Sequence, residues 1–141
     1  MTIMQSISDW LRGYPGLSGR LDVDALDDEA ECYSVDTVPC QELVKRYLGG
    51  DSLRQFQFVV ASRRFYDQNI AENLENLGFF EELCDWIEER SRRRELPELG
   101  EGKTAVCLTV TSNAYPFTVA DNGTARYQIQ LRLEYYEKGE R

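Results

Sequence analysis

Among its 141 residues the sequence has no histidine, and that omission removes a large part of enzyme chemistry. There is no Ser-His or Cys-His nucleophile, no imidazole general base and no imidazole metal ligand. Long hydrophobic runs are missing too. The longest, such as Phe58-Val59-Val60-Ala61, fall far short of the roughly 18 apolar residues of a membrane span, so no membrane partner is expected. Met1 to Trp10 lacks a basic leader and carries Asp9, and does not read as a secretory signal. The cysteines, Cys32, Cys40, Cys84 and Cys107, include no C-x-x-C pair, which favours structural thiols in a reducing compartment over a zinc or redox centre. Positive charge is scarce: 16 Lys and Arg against 25 Asp and Glu give a formal charge of −9. Affinity for a phosphate backbone comes mainly from neutralising phosphates with Lys and Arg, so specific nucleic-acid binding is not expected. Such a charge suits solubility, or a surface that nucleic acid such as DNA slides past.

What is present is the composition of a folded protein. The length is that of one ordinary domain, and 42% hydrophobic with 29% charged residues are globular values, so a single domain over 1–141 is expected. Ile3, Ile7, Trp10 and Leu11 recur at helical spacing until Gly13-Tyr14-Pro15-Gly16 ends the pattern. Residues 13–30 show little periodicity and read as a long connection, of the kind that is functional or ordered by a neighbour. Tyr33, Val35 and Thr37 alternate as a strand stopped by Pro39. Val44 to Leu48 and Leu53 to Ser62 flank Gly49-Gly50-Asp51, the clearest hairpin in the chain. Ile70, Leu74, Leu77, Phe80, Leu83, Cys84 and Ile87 mark a long helix that Gly78 would kink or divide. Two further strands follow, Lys103 to Ser112 with Thr104, Val106, Leu108 and Val110 on one side, and Ala125 to Tyr136 with Tyr127, Ile129, Leu131 and Leu133. The order is helix, three strands, long helix, two strands, without βαβ rhythm. It predicts an α+β fold with a mainly antiparallel sheet of about five strands packed against a long helix and a short N-terminal one.

Several stretches imitate chemistry. Gly100-Glu101-Gly102-Lys103-Thr104 ends like a P-loop, but Pro97 stands where the first glycine belongs and a helix precedes where a strand should. Asp22 and Asp24 begin like a calcium loop, which Leu26, Asp27 and Tyr33 then break. Asn122-Gly123-Thr124 is read as a turn and not a glycosylation acceptor. Glu81, Asp85, Glu88 and Glu89 lie close on the long helix, and the plain reading is a solvated face with Glu88 opposite Arg92 and Glu89 opposite Arg93. No catalytic residue, metal ligand or cofactor site emerges.

Candidate interface residues do emerge. Arg90, Arg92, Arg93 and Arg94 form the basic cluster, which either complements the negative end of the helix dipole or grips nucleic acid or an acidic protein surface. Asp27, Asp28, Glu29 and Glu31 of another copy are an available acidic partner. Tyr115, Phe117 and Val119 fall in a loop between strands, either folding back on the core or forming a contact patch.

Taken together, Leu21-Asp22-Val23-Asp24, Val44-Lys45-Arg46-Tyr47-Leu48, Arg54-Gln55-Phe56, Ala61-Ser62-Arg63, Glu72-Asn73-Leu74-Glu75-Asn76-Leu77-Gly78-Phe79-Phe80, Leu96-Pro97-Glu98-Leu99 and Ala125-Arg126-Tyr127-Gln128-Ile129-Gln130 resemble the tail-terminator or minor structural proteins of bacteriophages and prophages of Gram-positive hosts. The resemblance rests on their joint order and spans nearly the whole chain. It implies a homohexameric ring that caps the tail tube, stops its polymerisation and presents a surface to the neck or head. The partners it implies are further copies of the chain, the tail tube protein and a neck or head-completion protein, located in the virion tail or neck and in the host cytoplasm during assembly. It carries no catalytic residues. A head-completion, neck or minor capsid protein of the same particle remains an alternative, as does a free ligand-binding or inhibitory domain.

Overall fold

The computed structural model describes residues 2–15, 21–23, 32–65, 70–119 and 124–139. The first helix, α1 (Ile3–Leu11), starts at a capping box in which Thr2 Oγ1 accepts from the Gln5 amide at 3.1 Å and Gln5 Oε1 accepts from the Thr2 amide at 2.8 Å. Its apolar stripe is buried as the spacing predicts, with Ile7 and Leu11 inside and Trp10 donating its indole N–H to the Glu95 carbonyl at 2.8 Å.

Four strands follow, β1 (Leu21–Val23), β2 (Cys32–Val38), β3 (Leu43–Arg46) and β4 (Ser52–Phe65); then comes α2 (Ile70–Arg92), and three strands close the chain, β5 (Lys103–Val110), β6 (Tyr115–Val119) and β7 (Thr124–Glu137). They form one seven-stranded sheet of order β1-β2-β4-β7-β5, with β3 also on β4 and β6 also on β7. The sheet is thus α+β and antiparallel throughout, apart from the parallel pair β1·β2. Sequence periodicity finds five of the seven strands. It misses β1, three residues inside a Gly-, Pro- and Asp-rich stretch, and β6, where Pro116 interrupts the pattern. Proline without an N–H is tolerated there because β6 pairs only with β7.

The spine is the fourteen-residue pairing of β4 with β7, from Ser52↔Glu137 to Phe65↔Thr124. Register places Val35, Val60 and Ile129 in one row and Tyr33, Ser62 and Tyr127 in the next. This face, with Phe58, Leu131 and Leu133, is buried. Onto it α2 lays Phe80, Leu83 and Ile87, each fully buried, and Phe80 stacks on Tyr127 with centroids 6.3 Å apart. The helix runs through Gly78 unbroken, and Leu74, expected inside, points out with 61% of its surface exposed. The two helices join through Trp10 and Trp86, centroids 4.9 Å apart, and through Tyr14 against Trp86 and Phe79.

One strand does not keep the alternation its sequence suggests. The β5·β7 register shifts between Ala105 and Cys107, leaving Val106 as an extra residue, a β-bulge. Past it the inward face changes parity: Ala105 stands opposite Tyr135, then Leu108 opposite Leu133 and Val110 opposite Leu131. Val106, expected to share a side with Leu108, is therefore 42% exposed. The amide of Leu108 is held by Ser91 Oγ at 3.1 Å, fixing the strand to the end of α2.

Candidate protein-interaction site

The arginine cluster divides on inspection. Arg90 belongs to the fold: its guanidinium lies over Trp86 at 5.0 Å and Trp10 at 5.7 Å, with Glu95 at 3.4 Å. Arg94 closes the helix. It sits at φ 60° while the Glu95 amide reaches back to the Arg90 carbonyl at 2.9 Å and its own amide to Ser91 at 3.1 Å, the paired bonds of a Schellman motif with arginine where glycine is usual. Arg92 and Arg93 stay largely exposed, both on Glu89 at 2.6 and 2.8 Å. The pairing expected between Glu88 and Arg92 is replaced by this shared carboxylate.

Tyr115, Phe117 and Val119 are not in a loop. Their backbone is β6, paired antiparallel with β7 from Tyr115↔Gln128 to Val119↔Ala125, with a shift between Pro116 and Thr118. The acidic run Asp27, Asp28, Glu29 and Glu31 lies outside the described residues, and so do the turn at residues 122–123 and most of the connection 13–30. The P-loop imitation is, as expected, a glycine turn into a strand: Gly100 and Gly102 take φ 98° and 79°, and the Lys138 amide closes on the Gly102 carbonyl at 2.8 Å.

The β3–β4 hairpin forms as predicted, around Gly50 at φ 94°, but its tip is mostly in solvent, with only the Tyr47 ring resting near Tyr136, centroids 6.2 Å apart. Leu48 is fully exposed, Val44 is 49% exposed and Tyr47 is exposed beside them. Lys45 Nζ lies 5.2 Å from the Tyr47 ring centre, and among the described residues neither Lys45 nor Arg46 has an ion pair. The base of the hairpin, in contrast, is clamped. Asp51 accepts from the Tyr136 hydroxyl and, at 2.7 Å, from the Gly139 amide, and no side chain would fit at Gly139, where a Cβ would run into Gly50. Arg54 reaches Glu137 at 2.6 Å and Glu42 at 3.2 Å, and the Tyr135 hydroxyl donates to Glu42 at 3.0 Å. Burial first, then that bond to Glu42, pushes the Tyr135 pKa far up, so the donor proton stays in place. Sequence periodicity marks Val44 to Leu48 as a strand and gives no sign that its apolar groups face water; Lys45-Arg46 between them is the one hint.

On the other side of the molecule a groove of about 770 Å³ runs between α2 and residues 110–114. Leu77, Phe80, Cys84, Val110 and Ala114 give it an apolar floor, and Glu81, Asp85 and Glu88 an acidic rim. The carboxylates stand at successive turns of one helical face, a like-charge arrangement that costs a free helix a few tenths of a kcal/mol per pair. Burial, reinforced by Glu88, Asp85 and Glu81, pushes the Cys84 thiol up to about 11. Cys107 is likewise raised, by burial and then Glu134, and Cys40, Cys84 and Cys107 are free thiols. Among the described residues no three His, Cys, Asp or Glu side chains converge so as to hold a metal ion, and no helix is long and apolar enough to cross a membrane.

No protein-family model and no curated protein matches the sequence. Among solved structures the chain is similar to one from the virion of a native gene transfer agent particle, at a TM-score of 0.63 and 14% sequence identity, over 96% of this chain and 95% of that one. At that identity what the two share is the fold, and they share it from end to end.

Proposed function

We propose that this chain is a structural protein of a phage or phage-like virion, and that in the particle it forms a hexameric ring at the end of the tail tube, stopping polymerisation and presenting a surface to the neck or head. The observation that carries the reading is the correspondence of the whole fold, 96% of this chain on 95% of a virion chain, with no large insertion on either side to house a separate activity. The described surface supports it: its prominent features are a clamped hairpin with an exposed tip and an open groove, which are devices for contact. A closed ring needs two different complementary patches on every subunit. Arg92 and Arg93 and the acidic run at 27–31 add opposite charges of the kind that steer association and fix register. The joint order of the stretches that resemble tail terminators favours the tail end over other positions in the particle.

Quantitative mass spectrometry of purified particles tests the broad claim. The chain is expected at a fixed, low copy number relative to the tube protein, and in tails purified without heads. Recovery with heads and not with tails would make it a head-completion or neck protein, and absence from particles would leave the free-domain reading.

A further inference from the structure

The hairpin and the groove are complementary to each other. The tip carries apolar Val44, Tyr47 and Leu48 around two cations, Lys45 and Arg46. The groove offers an apolar floor within a rim of Glu81, Asp85 and Glu88. Among the described residues none of these five charged groups has an ion pair, so neither set is neutralised by them. They also cannot meet within one chain. The β3 strand lies on one edge of β4, while β5 lies two strands away beyond β7, and the Ser52-to-Phe58 span of β4 separates the hairpin's level from that of Val110, which stands opposite Leu131 and so level with Phe58, a distance of about 20 Å along the strand.

We infer that the β3–β4 hairpin tip of one copy of this chain docks into the acid-rimmed groove on α2 of the next copy, Leu48 and Tyr47 entering over Leu77 and Cys84 while Lys45 and Arg46 meet Glu81, Asp85 and Glu88. The inference rests on the ring reading and names its subunit contact. A second copy is favoured over an unrelated partner because both halves of the contact are present on one chain, matched in charge and set on opposite edges, which is the arrangement a head-to-tail ring requires. The clamp on Asp51 and Arg54 holds the knob in shape before docking and so reduces the ordering entropy of association.

A photoreactive benzophenone residue placed at Leu48 of the full chain, irradiated at concentrations where the protein self-associates, is expected to cross-link to residues 77–88 or 110–114 of a second copy. Cross-links mapping elsewhere on the second copy overturn the inference while leaving the ring intact. In a parallel arm, Lys45→Glu with Arg46→Glu is expected to weaken self-association about tenfold or more at low salt, and adding Glu81→Lys with Asp85→Lys to restore most of the loss. These side chains are exposed, so circular dichroism should stay unchanged. If the restored variant associates no better than the first, the two patches do not pair. If the wild-type chain remains monomeric at every concentration the inference falls, whereas the virion reading is decided separately by whether particles contain the protein.

Discussion

Arg90, Arg92, Arg93 and Arg94 are consecutive or nearly so, yet they do three different kinds of work, Arg92 and Arg93 sharing one, and a charge count cannot tell them apart. Arg90 covers two indole rings and meets Glu95; removing it loses cation–π contacts worth about 0.5–1 kcal/mol each at such sites. Thermal or urea unfolding should show Arg90→Ala destabilised by about 1 kcal/mol, with Arg92→Ala and Arg93→Ala each within about 0.5 kcal/mol of the parent, because exposed pairs contribute little. The cysteines differ in the same way. Cys84 has its thiol raised from 9.0 to about 11, so the fold favours the protonated form. Its contribution to stability is full below the ordinary thiol value and is lost as pH rises toward 11. Thiol-labelling rates at pH 8 followed by mass spectrometry should therefore find exposed Cys40 modified well before Cys84, with Cys84 catching up only in strong alkali. Rapid labelling of Cys84 at pH 8 would mean that the acidic rim and the burial do not act on it as the geometry requires.

At the level of elements, long periodic segments were readable and short or interrupted ones were not. The pattern Phe80, Leu83, Ile87 and the alternations of β4 and β7 reach the core as the residues suggest, because burial and period agree there. In β5 they disagree: one extra residue at Val106 reverses the inward face, and nothing in a run of alternating Thr, Val and Leu announces a bulge. Leu108→Ala should cost about 2–5 kcal/mol as a buried leucine truncation, while Val106→Thr, on the exposed side, should be close to neutral. Equal penalties at both positions would restore the regular strand. The end of α2 gives another case, since a left-handed arginine is invisible to sequence pattern. Arg94→Gly should raise stability by about 0.5–1 kcal/mol, relieving the Cβ penalty of φ 60° at the cost of some unfolded-state entropy. A fall in stability would show that the Arg94 side chain contributes more than its backbone conformation costs.

For the molecule as a whole, the sequence announced the α+β class and the lack of imidazole chemistry, since both follow from period and composition. It did not announce the surface. Whether Leu48 or Leu74 is buried depends on which strand or helix lies over it, and Leu74, which periodicity assigned to the inside, is among the most exposed. The groove is equally hidden, because Glu81, Asp85 and Glu88 come from one helix while Val110 and Ala114 come from the end of β5 and the segment after it. The proposed assembly role rests on a fold shared end to end with a virion chain and on two separated surfaces that match in charge and apolar character. The most direct measurement is the length distribution of tails, by negative-stain electron microscopy, assembled with and without this protein. Tails of uncontrolled length that fail to join heads in its absence, and of uniform length when it is supplied, are what a ring capping the tube predicts; tails of normal length joined to heads without it would contradict that role.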